Sequence, residues 1–347
     1  MQTFFFSKRF LFTLIVVVLV AHLYPKIKSS IVKRLYSSMS TGLTPRSTLK
    51  AVYAQEQSEG AGARVRRSIG TYEMRHFTPF LMLDHFNSSG LNGFPDHPHR
   101  GQETITYMIN GQMAHEDFTG SKGILNPGDL QFMTAGRGIV HSEMPVPQPD
   151  GSSNVGMQLW VDLPRNLKSC EPRYRDLKAA EIPIAKPDDK VTVKVISGES
   201  YGVKSVQDLA YTPVDYYHYT VLPGGTFEQP VSSDHATFLY LMSGNIKING
   251  KVYPQYHSVF FKRDGNAVVG EVPADSTEPA DFVLIGGQIM DQPIVQHGPF
   301  VECSKEKIYQ AFVDYQTGSN GFERSRNWSS SIAEGVTPEI VKELSNK

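Results

Sequence analysis

From about residue 48 the chain changes into short β-type runs separated by turn formers, and this pattern constrains the fold most. Runs at 50–53, 104–109, 191–196, 216–222, 237–242, 258–262 and 282–285 are rich in Val, Ile, Tyr, Phe and Thr. Asn110-Gly111, Asn249-Gly250 and Asp264-Gly265 have the chemistry of tight hairpins, because Asn and Gly tolerate positive φ. Asn126-Pro127-Gly128-Asp129 reads as a further turn. Many short strands with regular turns predict a sandwich or barrel. The first long amphipathic helix comes at 305–315, where Ile308, Phe312 and Tyr315 share a face. Thr337-Pro338-Glu339 predicts a second helix start, with a Thr cap and Pro in the first turn.

A weak internal echo suggests two such units. Residues 104–111 read TITYMING and 237–244 read TFLYLMSG, each an apolar strand closing on a Gly turn. The first is preceded by His97, His99 and Glu103, the second by His235 alone. A length of 347 residues suits two domains, with the join expected in the Pro- and charge-rich stretch 162–190.

The N-terminus is a different kind of sequence. Residues 1–55 carry eight basic residues and no acid, leaving 26 basic against 35 acidic residues in the rest. An acidic body argues against direct binding of nucleic acid. Residues 10–24, from Phe10 to Tyr24, read FLFTLIVVVLVAHLY. That run is short for a membrane span, which needs about 20 residues. It fits a membrane anchor, and its acid-free, basic surroundings also fit a mitochondrial transit segment, with Arg34-Leu35-Tyr36-Ser37 resembling a cleavage site. Initiation at Met39 would omit the segment. Residues 1–38 are therefore read as an address or anchor. The two cysteines, Cys170 and Cys303, exclude a disulfide scaffold and a thiolate metal cage.

Two short segments carry chemistry: His97-Pro98-His99 and His141-Ser142-Glu143. In a strand, residues i and i+2 point to one face. Each segment can thus present two donors in one direction, and neighbouring strands would bring three imidazoles and a carboxylate to one point. Such a set suits a first-row divalent metal and leaves coordination positions open. Iron(II) is expected, while nickel, manganese, cobalt or copper would suit the same donors. Glu103, four residues past His99, is a rival carboxylate or a group that orients an imidazole. His115, in a polar stretch, reads as solvated. His85 reads as structural or as a pocket group, and His218, His257 and His297 as structural.

The stretch 97–145, HPHRGQETITYMINGQMAHEDFTGSKGILNPGDLQFMTAGRGIVHSEMP, closely resembles the pirin family of the cupin superfamily. Residues 65–87 (VRRSIGTYEMRHFTPFLMLDHFN) and 296–328 (QHGPFVECSKEKIYQAFVDYQTGSNGFERSRNW) extend the resemblance over roughly 48–330. It implies an all-β bicupin, two antiparallel β-barrel (jelly-roll) domains with a few short helices. The first domain is expected at 48–175 and binds metal; the second, at 176–330, lacks the ligands; a short tail covers 331–347. The family pattern places the metal ligands at His97, His99, His141 and Glu143, and so prefers Glu143 to Glu103.

The resemblance supports two functional expectations. One is an iron(II)-dependent quercetin 2,3-dioxygenase-type enzyme acting on a flavonol-like aromatic substrate. Glu143 would take the 3-hydroxyl proton as the catalytic base, and dioxygen would cleave the ring with release of carbon monoxide. Phe80, Met82, Phe86, Phe132 and Met133 are candidates for an apolar wall, although core packing explains them equally. The other is an iron-dependent, redox-sensing transcriptional co-regulator with protein partners, for which Arg64, Arg66 and Arg67 offer a small basic patch. A monomer is expected. Other pirins imply nucleus and cytoplasm, an expectation that the N-terminal segment sets against mitochondrion or membrane.

Overall fold

The computed structural model describes residues 42–205 and 209–345. The apolar run at 10–24 and Met39 lie outside them. No helix among the described residues is long and apolar enough to cross a membrane. From Pro45 onward the chain forms one compact unit.

That unit contains two sandwiches of antiparallel strands. In the first, a seven-stranded sheet runs in the order Arg173–Leu177, Leu130–Thr134, Gln102–Asn110, Asn154–Asp162, Phe80–Ser88, Ala63–Ile69, Gln55–Glu59. It is accompanied by a four-stranded sheet of Phe94–His99, Ile139–Pro145, Met113–Asp117 and Lys122–Leu125. The second repeats the plan. Its seven-stranded sheet is Thr48–Tyr53, His257–Phe261, His235–Ser243, Ala280–Gln288, Val214–Val221, Val191–Ser197, Ile184–Ala185. Its four-stranded sheet is Thr226–Pro230, Ala267–Glu271, Asn245–Ile248, Lys251–Pro254.

Strand alternation sorts the side chains into separate cores. Ile105, Tyr107, Leu83 and Leu159 of the first large sheet pack with Tyr216, Phe238, Tyr240 and Ile285 of the second, so the two large sheets face each other across one shared core. The opposite parity points into each barrel. In the second barrel it yields Leu239, Leu241, Tyr219, Phe282 and their neighbours, an apolar filling. In the first it yields Thr104, Thr106 and Gln158, which keeps the interior polar. The sequence echo marks this division: Tyr107 and Tyr240 both lie in the shared core, where Thr106 matches Leu239 on the inward face. Each tyrosine hydroxyl meets a histidine of the other barrel, Tyr107 at 2.7 Å from His218 Nδ1 and Tyr240 at 3.0 Å from His85 Nδ1.

The chain ends are exchanged between the barrels. Thr48–Tyr53 falls within the stretch 48–175 that sequence position assigns to the first domain, yet it pairs with His257–Phe261 of the second. Helix Lys305–Thr317 follows the second barrel in sequence and packs on the first, where Ile308 and Ala311 bury against Met133, Ile139 and Val140. Ser304 caps its start and Gly318, at φ 58°, ends it. Two buried cations hold this exchange. Arg100 bonds Asp314 at 2.7 Å and the Asn320 carbonyl at 2.6 Å. Lys168, 1% exposed, bonds Asp162 at 2.6 Å and the carbonyls of Gly101 and Val301. Gly101 sits at φ 78° with its α-carbon against the Val301 carbonyl, a position that leaves no room for a side chain. The tail continues into helix Pro338–Ser345, started by Thr337 as its sequence predicts, and covers the outer face of the first barrel's small sheet through Ile332, Val336 and Leu344.

Candidate metal centre

The two strands that carry the candidate ligands are neighbours. Ile139–Pro145 pairs antiparallel with Phe94–His99, placing His141 opposite His97, and a bulge between His141 and Glu143 brings Glu143 opposite Phe94. His97, His99 and His141 therefore converge, with donor atoms all within 4.8 Å of one another. His97 Nε2 and His141 Nε2 stand 2.9 Å apart. Glu143 lines the cavity that His97 and His99 also line, its carboxylate standing outside the three-histidine cluster. Thr106 donates to its Oε1 at 3.1 Å and Gln158 Nε2 to its Oε2 at 3.0 Å, both from the facing large sheet.

The hydrogen bonds around the imidazoles fit a cation. His97 Nδ1 donates to the Pro95 carbonyl at 2.8 Å, so its Nε2 carries a lone pair aimed at His141. His99 Nδ1 lies 2.8 Å from the Gln102 amide nitrogen, while Gln102 Oε1 is buried without a partner. Rotating that amide lets Oε1 accept the Nδ1 proton and leaves His99 Nε2 free as a donor to metal. His141 Nδ1 is also buried without a partner. Burial, followed by their mutual proximity, holds His99 and His141 well below the ordinary histidine range, and burial lowers His97 as well. Three neutral imidazoles gathered together are what a divalent metal requires. Burial pushes the Glu143 carboxyl the other way, up to about 6, against the two hydrogen bonds it accepts.

The site opens into a cavity of about 710 Å³. Its wall includes Met82, Phe86, Phe94 and Trp160, and Trp160 stands edge-to-face on His99 with ring centroids 5.0 Å apart. Arg67 also lines it, clamped by Asp84 at 2.8 and 2.7 Å and by Glu59 at 2.7 Å. Of the five side chains considered as a wall, only Met82 and Phe86 serve. Phe80 and Phe132 have the parity of the shared core, and Met133 packs under helix Lys305–Thr317. Trp160 and Phe94 were missed; the signal for Trp160 was its parity with Gln158.

The rival residues fall elsewhere. Glu103 does not share a face with His99, because Gly101 breaks the strand between them and resets the alternation. Its carboxylate instead accepts from Thr134 Oγ1 and from the amides of Tyr211 and Thr212. His115 is not solvated: it is 4% exposed, opposite Glu143 in the sheet and 3.0 Å from Gln131 Nε2. His85 and His218 belong to the shared core. The basic patch is consumed internally, since Arg64 and Arg66 both pair with Glu56 and Arg67 with Glu59 and Asp84.

An all-β bicupin in which, among the described residues, the first barrel alone brings three histidines together is a cupin-type candidate metalloprotein. Residues 62–161 match the family model described as Pirin, and residues 216–321 match that of the Pirin C-terminal cupin domain. The chain is 47% identical over 290 residues to a pirin-like protein of Solanum lycopersicum, covering 82% of this chain and 97% of the relative. It is 46% identical over 289 residues to pirin of Homo sapiens, covering 81% and 96%. A solved quercetin 2,3-dioxygenase from Acinetobacter baumannii superposes with a TM-score of 0.73 at 27% identity, covering 79% of this chain and 98% of that one. The chain belongs to the pirin family.

Proposed function

We propose that this protein is an iron(II)-dependent dioxygenase of the quercetin 2,3-dioxygenase type, acting on flavonol-like aromatics. The carrying observation is the cluster of three imidazoles, His99 and His141 buried and His97 half-buried, of which His97 and His99 line, with Glu143, a cavity of about 710 Å³ walled by aromatic side chains. A cavity of that size suits a small flat ligand. The likeness to a solved quercetin 2,3-dioxygenase supports the same reading. A divalent metal held by His97, His99 and His141, with Glu143 as fourth ligand, would act as a Lewis acid that lowers the pKa of a hydroxyl bound to it.

The protein's own groups then divide the work. Phe86, Phe94 and Trp160 exclude water and flank the ring system. Glu143 takes the flavonol hydroxyl proton, since a carboxylate at the metal is within reach of it. Thr106 and Gln158 fix the carboxylate and limit its basicity. Gln102 orients His99, and the Pro95 carbonyl orients His97.

The test is made on protein loaded with iron(II) and incubated with quercetin in air, following the flavonol absorbance, with metal content measured per chain. Metal-dependent loss of flavonol is expected, falling about 100-fold in Glu143→Gln, the lower end of what a general base contributes. One iron per chain with no turnover would overturn the enzymatic reading.

A further inference from the structure

We propose that Ser329 is an acceptor for an arginine-directed serine kinase, and that a phosphate there undocks the C-terminal tail from the back of the metal-bearing strands. The sequence around it is Arg324-Ser325-Arg326-Asn327-Trp328-Ser329, which puts arginines five and three positions before the serine. Arg324, Arg326 and Ser329 are all exposed. The arginines lie in a 3-10 turn, Glu323–Asn327, and the serine follows in irregular chain. Two exposed guanidiniums upstream of an exposed hydroxyl complement an acidic kinase cleft. Ser330 and Ser331 lack this pair of spacings, and Ser330 is buried.

What Ser329 touches gives the phosphate its effect. Its hydroxyl donates to Asp96 Oδ2 at 3.2 Å, and the Ser330 amide donates to the same oxygen at 3.2 Å. Asp96 Oδ1 accepts from Ser142 at 2.6 Å. Asp96 precedes His97, and Ser142 lies between His141 and Glu143, so this carboxylate joins both ligand strands on their outer face. One strand further on, Glu116 accepts from the Ser330 hydroxyl and from the Ser331 amide and hydroxyl. The tail is thus stitched to the sheet by serines donating to two carboxylates. Transfer of the γ-phosphoryl group from ATP forms the Ser329 Oγ–P bond, breaks the β–γ phosphoanhydride, releases ADP and passes the serine proton to the kinase base. A donor becomes a group of charge about −1.5 to −2 placed against Asp96, an arrangement that disrupts by like-charge repulsion. Ile332, Val336 and Leu344 then lose the anchor that seats them.

The full chain is incubated with radiolabelled ATP and a kinase that reads arginines at these two positions, the site is mapped by mass spectrometry, and amide exchange is followed in 332–345. Label at Ser329 is expected, abolished in Ser329→Ala and strongly reduced in Arg324→Ala, whose one side-chain bond is a 3.4 Å contact to the Thr119 carbonyl. Exchange in the tail should rise about tenfold on phosphorylation, a modest effect for like charges in contact at an exposed position. Equal labelling of Ser329→Ala would overturn the site. Stoichiometric label at Ser329 with tail exchange unchanged would overturn the undocking.

Discussion

Replacing His141 by Leu separates what the metal centre contributes to stability from what the fold needs. His141 is 2% exposed and makes one side-chain hydrogen bond, to His97 Nε2, while its Nδ1 has no partner. An unsatisfied buried polar atom costs about 1–3 kcal/mol, and a typical internal hydrogen bond contributes about 1 kcal/mol. Leu removes the orphan and the bond together, leaves His97 Nε2 without its partner, and adds apolar burial in a similar volume. These effects nearly cancel, so the metal-free variant should unfold within about 1 kcal/mol of metal-free wild type. With metal the two should part. A ligand held only by the folded state at 1,000 times its Kd adds about 4 kcal/mol, or ~8 °C in Tm for a unit of this size. Wild type should show that rise and His141→Leu should not. The assay is thermal and urea unfolding of chelator-treated protein, with and without added iron(II) or nickel(II). A metal-dependent rise that survives in His141→Leu would refute the assignment of the site. A loss of several kcal/mol in the metal-free variant would show instead that the imidazole is a structural element.

Lys168→Met should destabilise the protein by about 3–5 kcal/mol in urea, because Asp162 and two carbonyls are left facing a buried thioether. The double variant with Asp162→Asn should recover part of that loss, and no recovery would mean that Lys168 acts through packing alone. Burial lowers the His85 pKa to about 4 from its ordinary 6.5. The unfolded chain therefore binds more protons below 6.5, and stability that depends on neutral His85 is present above that pH and lost as pH falls toward 4, by about 3 kcal/mol. Unfolding followed from pH 7 to 4.5 should be less steep in His85→Gln; an unchanged slope would place the proton uptake elsewhere, the metal-site imidazoles being the next candidates.

Much of this architecture was legible because β structure writes a two-residue period into sequence. His97 could be placed with His99, and His141 with Glu143, each pair on one face from spacing; that the two strands are neighbours comes from the fold, and the matched strands around Tyr107 and Tyr240 do mark corresponding positions of two barrels. Where the reading failed, the cause was an interruption of that period or a partner remote in sequence. Gly101 cancels the parity that seemed to join Glu103 to His99. Phe80 and Phe132 read as pocket walls because alternation says which residues share a face but not whether that face looks into a barrel or toward its neighbour. His115 read as solvated from its polar neighbours, yet they alternate away from it or bond within the barrel. Arg64, Arg66 and Arg67 read as a free patch because Glu56, Glu59 and Asp84 lie on adjoining strands that only folding brings alongside. The pairing of Thr48–Tyr53 with His257–Phe261 has no local signal at all.

The exchange of chain ends sets an order on synthesis. When residue 175 has left the ribosome, every candidate metal ligand exists, but the surface that receives helix Lys305–Thr317 is bare and Arg100 has no Asp314 to meet. The second barrel, for its part, holds a strand that was made first and must wait for its neighbour near residue 257. The strands of the first barrel are all made by residue 177 and those of the second by residue 288, but the helix and tail that cover the first barrel come only after residue 304, so a truncation near the C-terminus strikes the barrel encoded at the beginning.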